Sequence, residues 1–428
     1  MPAITRDPLP DSTLAFLRDG YEFIPKRARR FDTDIFRTRL LLRKTICVTG
    51  HEAATLFYDE SRFRRQGAAP TRLKKTLFGE GGVQGLDGER HRARKAMFMS
   101  LMTAAAIEEL VALFRERWRE ALTRWQAREE IVLFPEVERV ICRAVCAWAG
   151  VPLAEDEVDD RTGQISAMID GSGAVGWRHW KGRRARKRAE RWLMDVIGRV
   201  RSGDLEAPPD RALRVVSLYE DPEGGRLDAR IAAVEVLNVL RPVVAIAYYI
   251  AFLAHALHEH PAARRSLEEP GSNEEEDAAR ERFVQEVRRL YPFFPLVAAV
   301  TREPFDWRGY RLPGGVRVML DLYGTSRDPK VWDDPDSFRP ERFVGHPIGA
   351  FEMVPQGGGD HYQNHRCAGE WITIAVMKEA LRLLTREMTY RLPQQDLSID
   401  LSRFPAIPRS RILLRDVAER RPGAAQSM

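Results

Sequence analysis

Apolar residues recur at intervals of three and four positions along most of the chain, and this pattern predicts a mainly helical protein. The helical patterns cover 11–19, 51–58, 89–102, 104–127, 135–148, 162–169, 177–200, 227–258, 273–289 and 372–384. Shorter runs bounded by glycine and proline predict small β-sheets at 37–48, at 316–322 and after Pro393. No repeat or low-complexity linker divides the chain. We therefore expect one domain spanning residues 1–428, with 422–428 as a frayed tail.

The longest apolar pattern, Leu227 to His258, contains an arginine and a proline at its middle, Arg241 and Pro242. Its uninterrupted apolar run, Val243 to Ala254, is too short to span a membrane, so a buried central helix is expected. A buried arginine requires an anionic partner, because an unpaired buried charge is very costly. The residues three and four positions away on the helix are not acidic. The partner is therefore either a distant Asp or Glu or an anion from outside the chain.

Composition and charge exclude several classes of protein. The chain has 428 residues, an ordinary apolar content and a formal net charge of +6, which argue against disorder and against a dedicated nucleic-acid binder. Four cysteines, Cys47, Cys142, Cys146 and Cys367, provide no disulfide framework. Cys142 and Cys146 could share a metal, but a core helix face is the better interpretation. The first residues do not resemble a signal peptide, so we expect a cytoplasmic protein without a membrane anchor.

The segment 177–200 combines arginines and lysines on one side with apolar residues on another. This pattern is compatible with RNA, with an anionic membrane surface or with an ordinary amphipathic surface helix. The amphipathic surface helix is the preferred interpretation.

The most distinctive chemistry lies between Phe351 and Arg382. Three glycines, Gly357 to Gly359, precede Cys367 and allow the backbone to lie close to a flat ligand. The cysteine stands just before an apolar helix, beside His365 and Arg366, a setting expected to favour the thiolate. A single soft thiolate in a glycine-rich loop points to haem iron.

This loop resembles the haem-thiolate segment of the cytochrome P-450 superfamily, and in particular its fatty-acid peroxygenase branch. Asp360 and Gln363 stand where most of the superfamily has an aromatic residue and a glycine, seven and four positions before the cysteine. The motif Glu286-x-x-Arg289 and then Pro340-Glu341-Arg342-Phe343 precede the loop in the order of that family.

The resemblance implies a mainly α fold with small β-sheets, in which haem b lies between the central helix and the Cys367 loop. Cys367 would be the axial ligand of the iron. Arg65, His91 and Lys95 would bind the haem propionates. The catalytic positions implied are Arg241, Pro242 and Gln84, since Arg241-Pro242 replaces the acid–alcohol pair of ordinary members. A fatty-acid pocket is expected to include Arg241 and Gln84 together with Phe78, Phe293 and Phe294.

The activity that follows is hydroxylation of long-chain fatty acids at the α and β carbons with hydrogen peroxide, without a dedicated redox partner. The substrate carboxylate, paired with Arg241, would serve as the acid–base group that peroxide activation requires. The alternatives are oxidative decarboxylation to terminal alkenes, a reductase-dependent monooxygenase, and a non-catalytic binder of haem or fatty acid. The last two lack support, because neither an acid–alcohol pair nor an output domain is found.

Overall fold

Helices make up most of the protein in the computed structural model, which describes residues 3–269 and 271–420. The predicted tail 422–428 lies outside the described residues. The helices are α1 (Thr13–Asp19), α2 (Phe23–Phe31), α3 (His51–Phe57), α4 (Thr71–Leu73), α5 (Gly88–Met99), α6 (Ala104–Trp125), α7 (Leu133–Ala149), α8 (Val158–Asp170), α9 (Trp177–Ser202), α10 (Ala212–Ser217), α11 (Ala229–Val244), α12 (Ile246–Glu259), α13 (Pro261–Glu268), α14 (Asn273–Leu290), α15 (Leu322–Thr325) and α16 (Glu370–Arg382).

The strands form three small sheets. They are β1 (Thr5–Arg6), β2 (Ile35–Leu40), β3 (Arg43–Val48), β4 (Phe63–Arg64), β5 (Glu130–Val132), β6 (Leu296–Thr301), β7 (Phe305–Trp307), β8 (Tyr310–Leu312), β9 (Arg317–Asp321), β10 (Met388–Arg391) and β11 (Leu413–Glu419). The largest sheet has the order β1-β2-β3-β9-β6-β4, and the others are β10-β11-β5 and β7-β8. The mainly α fold with small sheets is thus confirmed. The β-structure predicted after Pro393 is confirmed by β11, which pairs with β10 and β5.

The central apolar pattern folds as two consecutive helices, α11 and α12, which break at Ala245. The break lies three residues after Pro242, the proline that interrupts the apolar pattern in the sequence. Pro242 has no backbone N–H, so it cannot donate to the carbonyl of Asn238 four residues earlier. The run Ala229–Glu259 is long and apolar enough to cross a membrane, but 94% of its most apolar window is buried inside the protein. Burial on all sides identifies it as the core helix of the fold.

Buried ion pairs brace the chain before the cysteine loop. Glu286 and Arg289, one turn apart on α14, form an ion pair of 2.7 Å in which neither side chain is exposed. Arg342 also contacts Glu286, at 3.1 Å, and the backbone N–H of Arg339 donates to the same carboxylate. The start of α14 carries a capping box between Ser272 and Glu275. These contacts hold the long irregular segment that leads to Cys367 against the helical core.

Candidate functional site

Cys367 stands in a tight loop immediately before α16. Its backbone N–H donates to the carbonyl of Gln356 at 2.9 Å, which closes the loop upon itself. Gly357 has a φ of 93°, and a Cβ there would lie 3.0 Å from the Tyr58 hydroxyl. Glycine is thus needed at this position both for its backbone conformation and for space. The cysteine side chain lies deep in the fold and yet is only partly covered by its neighbours.

Burial raises the pKa of the Cys367 thiol above its usual value, although the positive charge of Lys95 opposes this effect. The expectation that His365 and Arg366 favour the thiolate is therefore wrong for the cysteine by itself. Burial also lowers the pKa of His365 well below its usual value, which leaves it neutral. Arg366 is held by Glu370 at 2.6 Å. A thiolate here requires a coordinated metal, whose charge stabilises the deprotonated sulfur.

Glu370, the first residue of α16, holds the Cys367 loop in place. Its carboxylate pairs with Arg366 and with the buried Arg288, and it contacts His361 Nε2 at 3.1 Å. Burial by itself raises the pKa of Glu370, but Arg288, His361 and Arg366 together bring it far below its usual value. The carboxylate is therefore ionised at all physiological pH values, and the loop is held by charge-assisted hydrogen bonds.

The structure brings the three residues predicted to bind the propionates close to the Cys367 loop. Lys95 is buried and donates to the carbonyl of Arg366, one residue before the cysteine. The ring of His91 stacks on that of His365 with centroids 3.7 Å apart. His91 is buried, and its Nδ1 has no partner among the described residues. Arg65 donates to the carbonyl of Ala298 at 3.1 Å, and its charge lowers the pKa values of His91 and His365.

Arg241 is buried on α11 without a carboxylate partner in the part of the chain that the structure describes. Its Nη2 donates to the Asn238 side chain at 3.0 Å, and its Nε has no hydrogen-bond partner among the described residues. Burial, and then the positive charge of Arg186, lower the pKa of Arg241 to about 9. The charge of Cys367 acts on this pKa in the opposite direction. The alternative of a distant Asp or Glu partner is thus not found among residues 3–269 and 271–420.

Sequence reasoning missed the side chains that orient Arg241. Asn238 Nδ2 donates to Glu235 at 2.8 Å and to Gln84 Oε1 at 3.3 Å. Glu235 is fully buried and accepts from Arg94 at 2.7 Å and from the Val83 backbone N–H at 2.9 Å. Glu235, Asn238 and Arg241 follow each other at three-residue spacing, so they share one helix face. This three-residue spacing was the signal in the sequence that could have found the group. The hydrogen bond from Asn238 to Gln84 also ties the Gln84 loop to the central helix.

The remaining predicted site residues lie around this centre. Pro242 directly follows Arg241 and is half-buried. Phe293 stacks on Tyr249 of α12 with centroids 4.2 Å apart, and Cys367 influences the pKa of that tyrosine. Phe294 is half-buried and packs against two core clusters. Phe78 is half-buried at the end of a π-helical turn, one residue after Leu77, whose carbonyl accepts from Arg186 at 2.5 Å.

Comparison with solved structures decides the family. Cytochrome P450SP alpha (CYP152B1) in complex with (R)-ibuprofen superposes with a TM-score of 0.93 at 46% identity, covering 96% of this chain and 99% of the other. Cytochrome P450EX alpha (CYP152N1) with myristic acid gives 0.94 at 42% identity, covering 98% and 100%. The chain belongs to the fatty-acid peroxygenase branch of the cytochrome P-450 family. A variant of cytochrome P-450 OleT in complex with arachidonic acid is also similar, with a TM-score of 0.94 at 34% identity, covering 99% and 100%.

Comparisons by sequence agree with this P-450 assignment. The family described as cytochrome P-450 matches residues 280–409, which include the Cys367 loop. Cytochrome P-450 71D18 of Mentha gracilis is 32% identical over 133 residues, which are 29% of this chain and 25% of that protein. Tabersonine 6,7-epoxidase isoform 1 of Catharanthus roseus is 36% identical over 114 residues, 26% of this chain and 22% of that protein. The match thus spans about a quarter of the length of these curated relatives.

A P-450 requires a haem, and the residues present fit one. Cys367 offers a soft sulfur that is deep in the fold but partly uncovered. Two haem propionates require cations and hydrogen-bond donors. Lys95 and Arg65 supply the cations, and His91, stacked on His365, supplies a buried ring nitrogen that has no partner among the described residues. Arg241 lies within electrostatic reach of the sulfur, on the central helix. Cys367 would hold the iron, and the basic group would hold the propionates.

Proposed function

We propose that this P-450 uses hydrogen peroxide to hydroxylate long-chain fatty acids at their α and β carbons, with the substrate carboxylate paired to Arg241. The observation that carries the proposal is that Arg241 is a buried guanidinium with no carboxylate partner among the described residues and a free Nε. A buried charge without a counter-ion is unfavourable, and a bound carboxylate relieves this cost. A carboxylate can pair with both Nε and Nη of a guanidinium, and such bidentate pairs are strong and directional.

Arg241 stays protonated at neutral pH, because its lowered pKa of about 9 is still above 7. Pairing with a carboxylate raises that pKa and strengthens the protonated form. Arg241 and Cys367 each act on the pKa of the other, which supports a binding mode in which Arg241 would hold the carboxyl end of the acid on the Cys367 side of the pocket. The carbons next to the carboxyl group are then those presented for reaction, which supports α and β hydroxylation.

Cleavage of peroxide requires that one oxygen lose a proton and that the other gain one, so that water leaves. Among the described residues of α11, the ionisable side chain on the same helix face as Arg241 is Glu235, which is occupied by Arg94 and Asn238. The substrate carboxylate is therefore the group available to accept the proton and return it. When bound, the haem supplies the transfer of the oxygen atom, and the thiolate of Cys367 favours O–O cleavage. In the balanced reaction, acid and hydrogen peroxide give hydroxy acid and water.

Gln84 is proposed to favour hydroxy acids over decarboxylation. Its amide is held by Asn238 at 3.3 Å, and an amide does not exchange a proton near neutral pH. Phe78, Phe293 and Phe294 are proposed as apolar walls for the acyl chain, since all three are half-buried aromatic side chains.

The test is product analysis with a long-chain fatty acid. We expect hydroxy acids when hydrogen peroxide is supplied, and no turnover with NADPH and electron-transfer proteins in the presence of catalase. Turnover that requires the electron-transfer proteins and resists catalase would contradict the proposal and indicate a monooxygenase.

A further inference from the structure

The turn between β2 and β3 is built from two leucines in an unusual backbone conformation. Leu40 pairs with Arg43, so Leu41 and Leu42 are the two central residues of a tight hairpin. Both have positive φ values, 54° and 60°. Such turns favour asparagine and glycine, because a Cβ clashes with the backbone in the left-handed region. Leucine at both positions is unfavourable for folding, which points to a role for the side chains themselves.

These leucines are also unusually exposed. Leu42 is 81% exposed and Leu41 is 52% exposed. The Leu41 backbone N–H donates to Thr13 Oγ1 at 2.6 Å, which places the turn against the start of α1, where Leu14 is 81% exposed. We call Leu14, Leu41 and Leu42 the leucine tip. An apolar cluster that is this exposed marks an interaction surface or a membrane contact.

The surroundings of the leucine tip are basic. Four exposed cations lie on the two strands that meet at the turn, and none of them makes an ion pair with a described residue: Arg37, Arg39, Arg43 and Lys44. The nearby Asp11 carboxylate is engaged by the backbone N–H groups of Leu42 and Thr13. Leucines surrounded by free cations match the chemistry of a bilayer with anionic headgroups. Self-association through the tip would instead bring like charges together.

A second exposed apolar patch lies nearby, at the start of α9. Trp177 is 70% exposed, and Val175 and Trp180 are also exposed. A short series of contacts connects this patch to α1: Gly173 packs against Phe404, whose ring stacks on Phe16 at 5.5 Å. The patch also carries the exposed cations Lys181 and Arg184. Tryptophan is enriched at the membrane–water interface, because its ring is apolar and its N–H is polar.

We propose that the leucine tip and the Trp177 patch together dock the protein on the surface of an anionic lipid bilayer, without spanning it. A membrane surface was one interpretation of segment 177–200, and the leucine tip adds a second candidate membrane contact from a distant part of the sequence. Under the proposed function, docking also brings the enzyme to a reservoir of its substrate, because long-chain acids partition into bilayers.

Co-sedimentation of the haem-loaded protein with phosphatidylcholine vesicles, with and without phosphatidylglycerol, tests the docking. We expect binding to the phosphatidylglycerol vesicles, and we expect added salt to weaken it by screening the cations. The informative variant is Leu41→Asn/Leu42→Gly, since both new residues suit positive φ and should keep or raise the melting temperature. Removing two inserted leucines should weaken vesicle binding about tenfold or more. Val344→Asn removes an apolar residue of similar exposure elsewhere and should bind as the wild type does.

Two results would overturn the proposal, independently of any catalytic result. One is wild-type protein that stays in the supernatant with phosphatidylglycerol vesicles, or a double variant that sediments as fully as the wild type. The other is a wild type that forms dimers without lipid while the double variant is monomeric, which would assign the tip to a second copy of the chain.

Discussion

Asn238 Oδ1 accepts a hydrogen bond from Arg241 Nη2 at 3.0 Å, one turn apart on the central helix. The orientation of the amide is fixed, because its Nδ2 faces the Glu235 carboxylate at 2.8 Å and must donate to it. The amide oxygen therefore points toward Arg241 and holds the guanidinium while leaving its Nε free. Asn238 is a positioning residue for the proposed substrate-binding cation.

Asn238→Asp should weaken fatty-acid binding. The new carboxylate would lie beside Arg241 and pair with it, so the substrate carboxylate would compete with an internal anion. Charge-assisted hydrogen bonds are worth about 1.5–3 kcal/mol, so we expect the Kd to rise roughly tenfold or more. The measurement is a titration of the haem absorption with a long-chain acid. Asn273→Asp, which adds the same charge at an exposed site on α14, is the control. An unchanged Kd in Asn238→Asp would show that Asn238 does not position the binding cation.

Cys367→Ala should abolish the thiolate-ligated state. The reduced wild-type protein should give the strongly red-shifted carbon monoxide adduct of a thiolate haem, and the variant should lack it. Cys47→Ala is the matched control, because Cys47 is buried in another cluster, where burial raises the pKa of its thiol. An unaltered adduct in Cys367→Ala would refute the axial ligand.

The parts of the fold and site that were predictable depend on local patterns. The helices follow from apolar spacing, and Arg241 stood out because a lone arginine in an apolar helix has no local anion. Two features depend on tertiary contacts and were not predictable: the hydrogen bond of Asn238 to the Gln84 loop and the burial that raises the pKa of Cys367. The sequence also gives no sign that Leu41 and Leu42 have positive φ, because those residues disfavour it.

Gln84 should make hydroxy acids the main products. An amide cannot exchange a proton near neutral pH, whereas histidine can. Gas chromatography of wild-type products should show α- and β-hydroxy acids with little terminal alkene, and Gln84→His should raise the alkene share. Gln66→His, at an exposed position in the preceding loop, should leave the product ratio unchanged. Alkene as the dominant wild-type product would rule out this role of Gln84.

Glu138 should make the protein less stable as the pH rises. Burial raises the pKa of this α7 carboxyl to about 7, against an ordinary 4.5. Between these values the folded state holds a proton that the unfolded state has released, so stability falls as pH rises through this window and stays low above it. Glu138→Gln should remove this loss, so the free energy of unfolding should rise by roughly 2–3 kcal/mol above pH 7. Near pH 4.5 the free energy of unfolding should change little. Thermal melts across pH measure the difference, with Glu108→Gln as an exposed control. Equal gains at both pH values would contradict the assignment.

The central claim is that the substrate carboxylate, paired with Arg241, activates the peroxide. The most direct measurement compares peroxide-driven turnover of a long-chain acid with that of its methyl ester, in the wild type and in Arg241→Ala. Loss of a desolvated charge pair costs about 2–5 kcal/mol, so we expect a rate loss of roughly thirtyfold or more for the ester and for the variant. The carbon monoxide adduct of Arg241→Ala should remain that of a thiolate haem. An ester turned over as fast as the acid by the wild type would contradict the account.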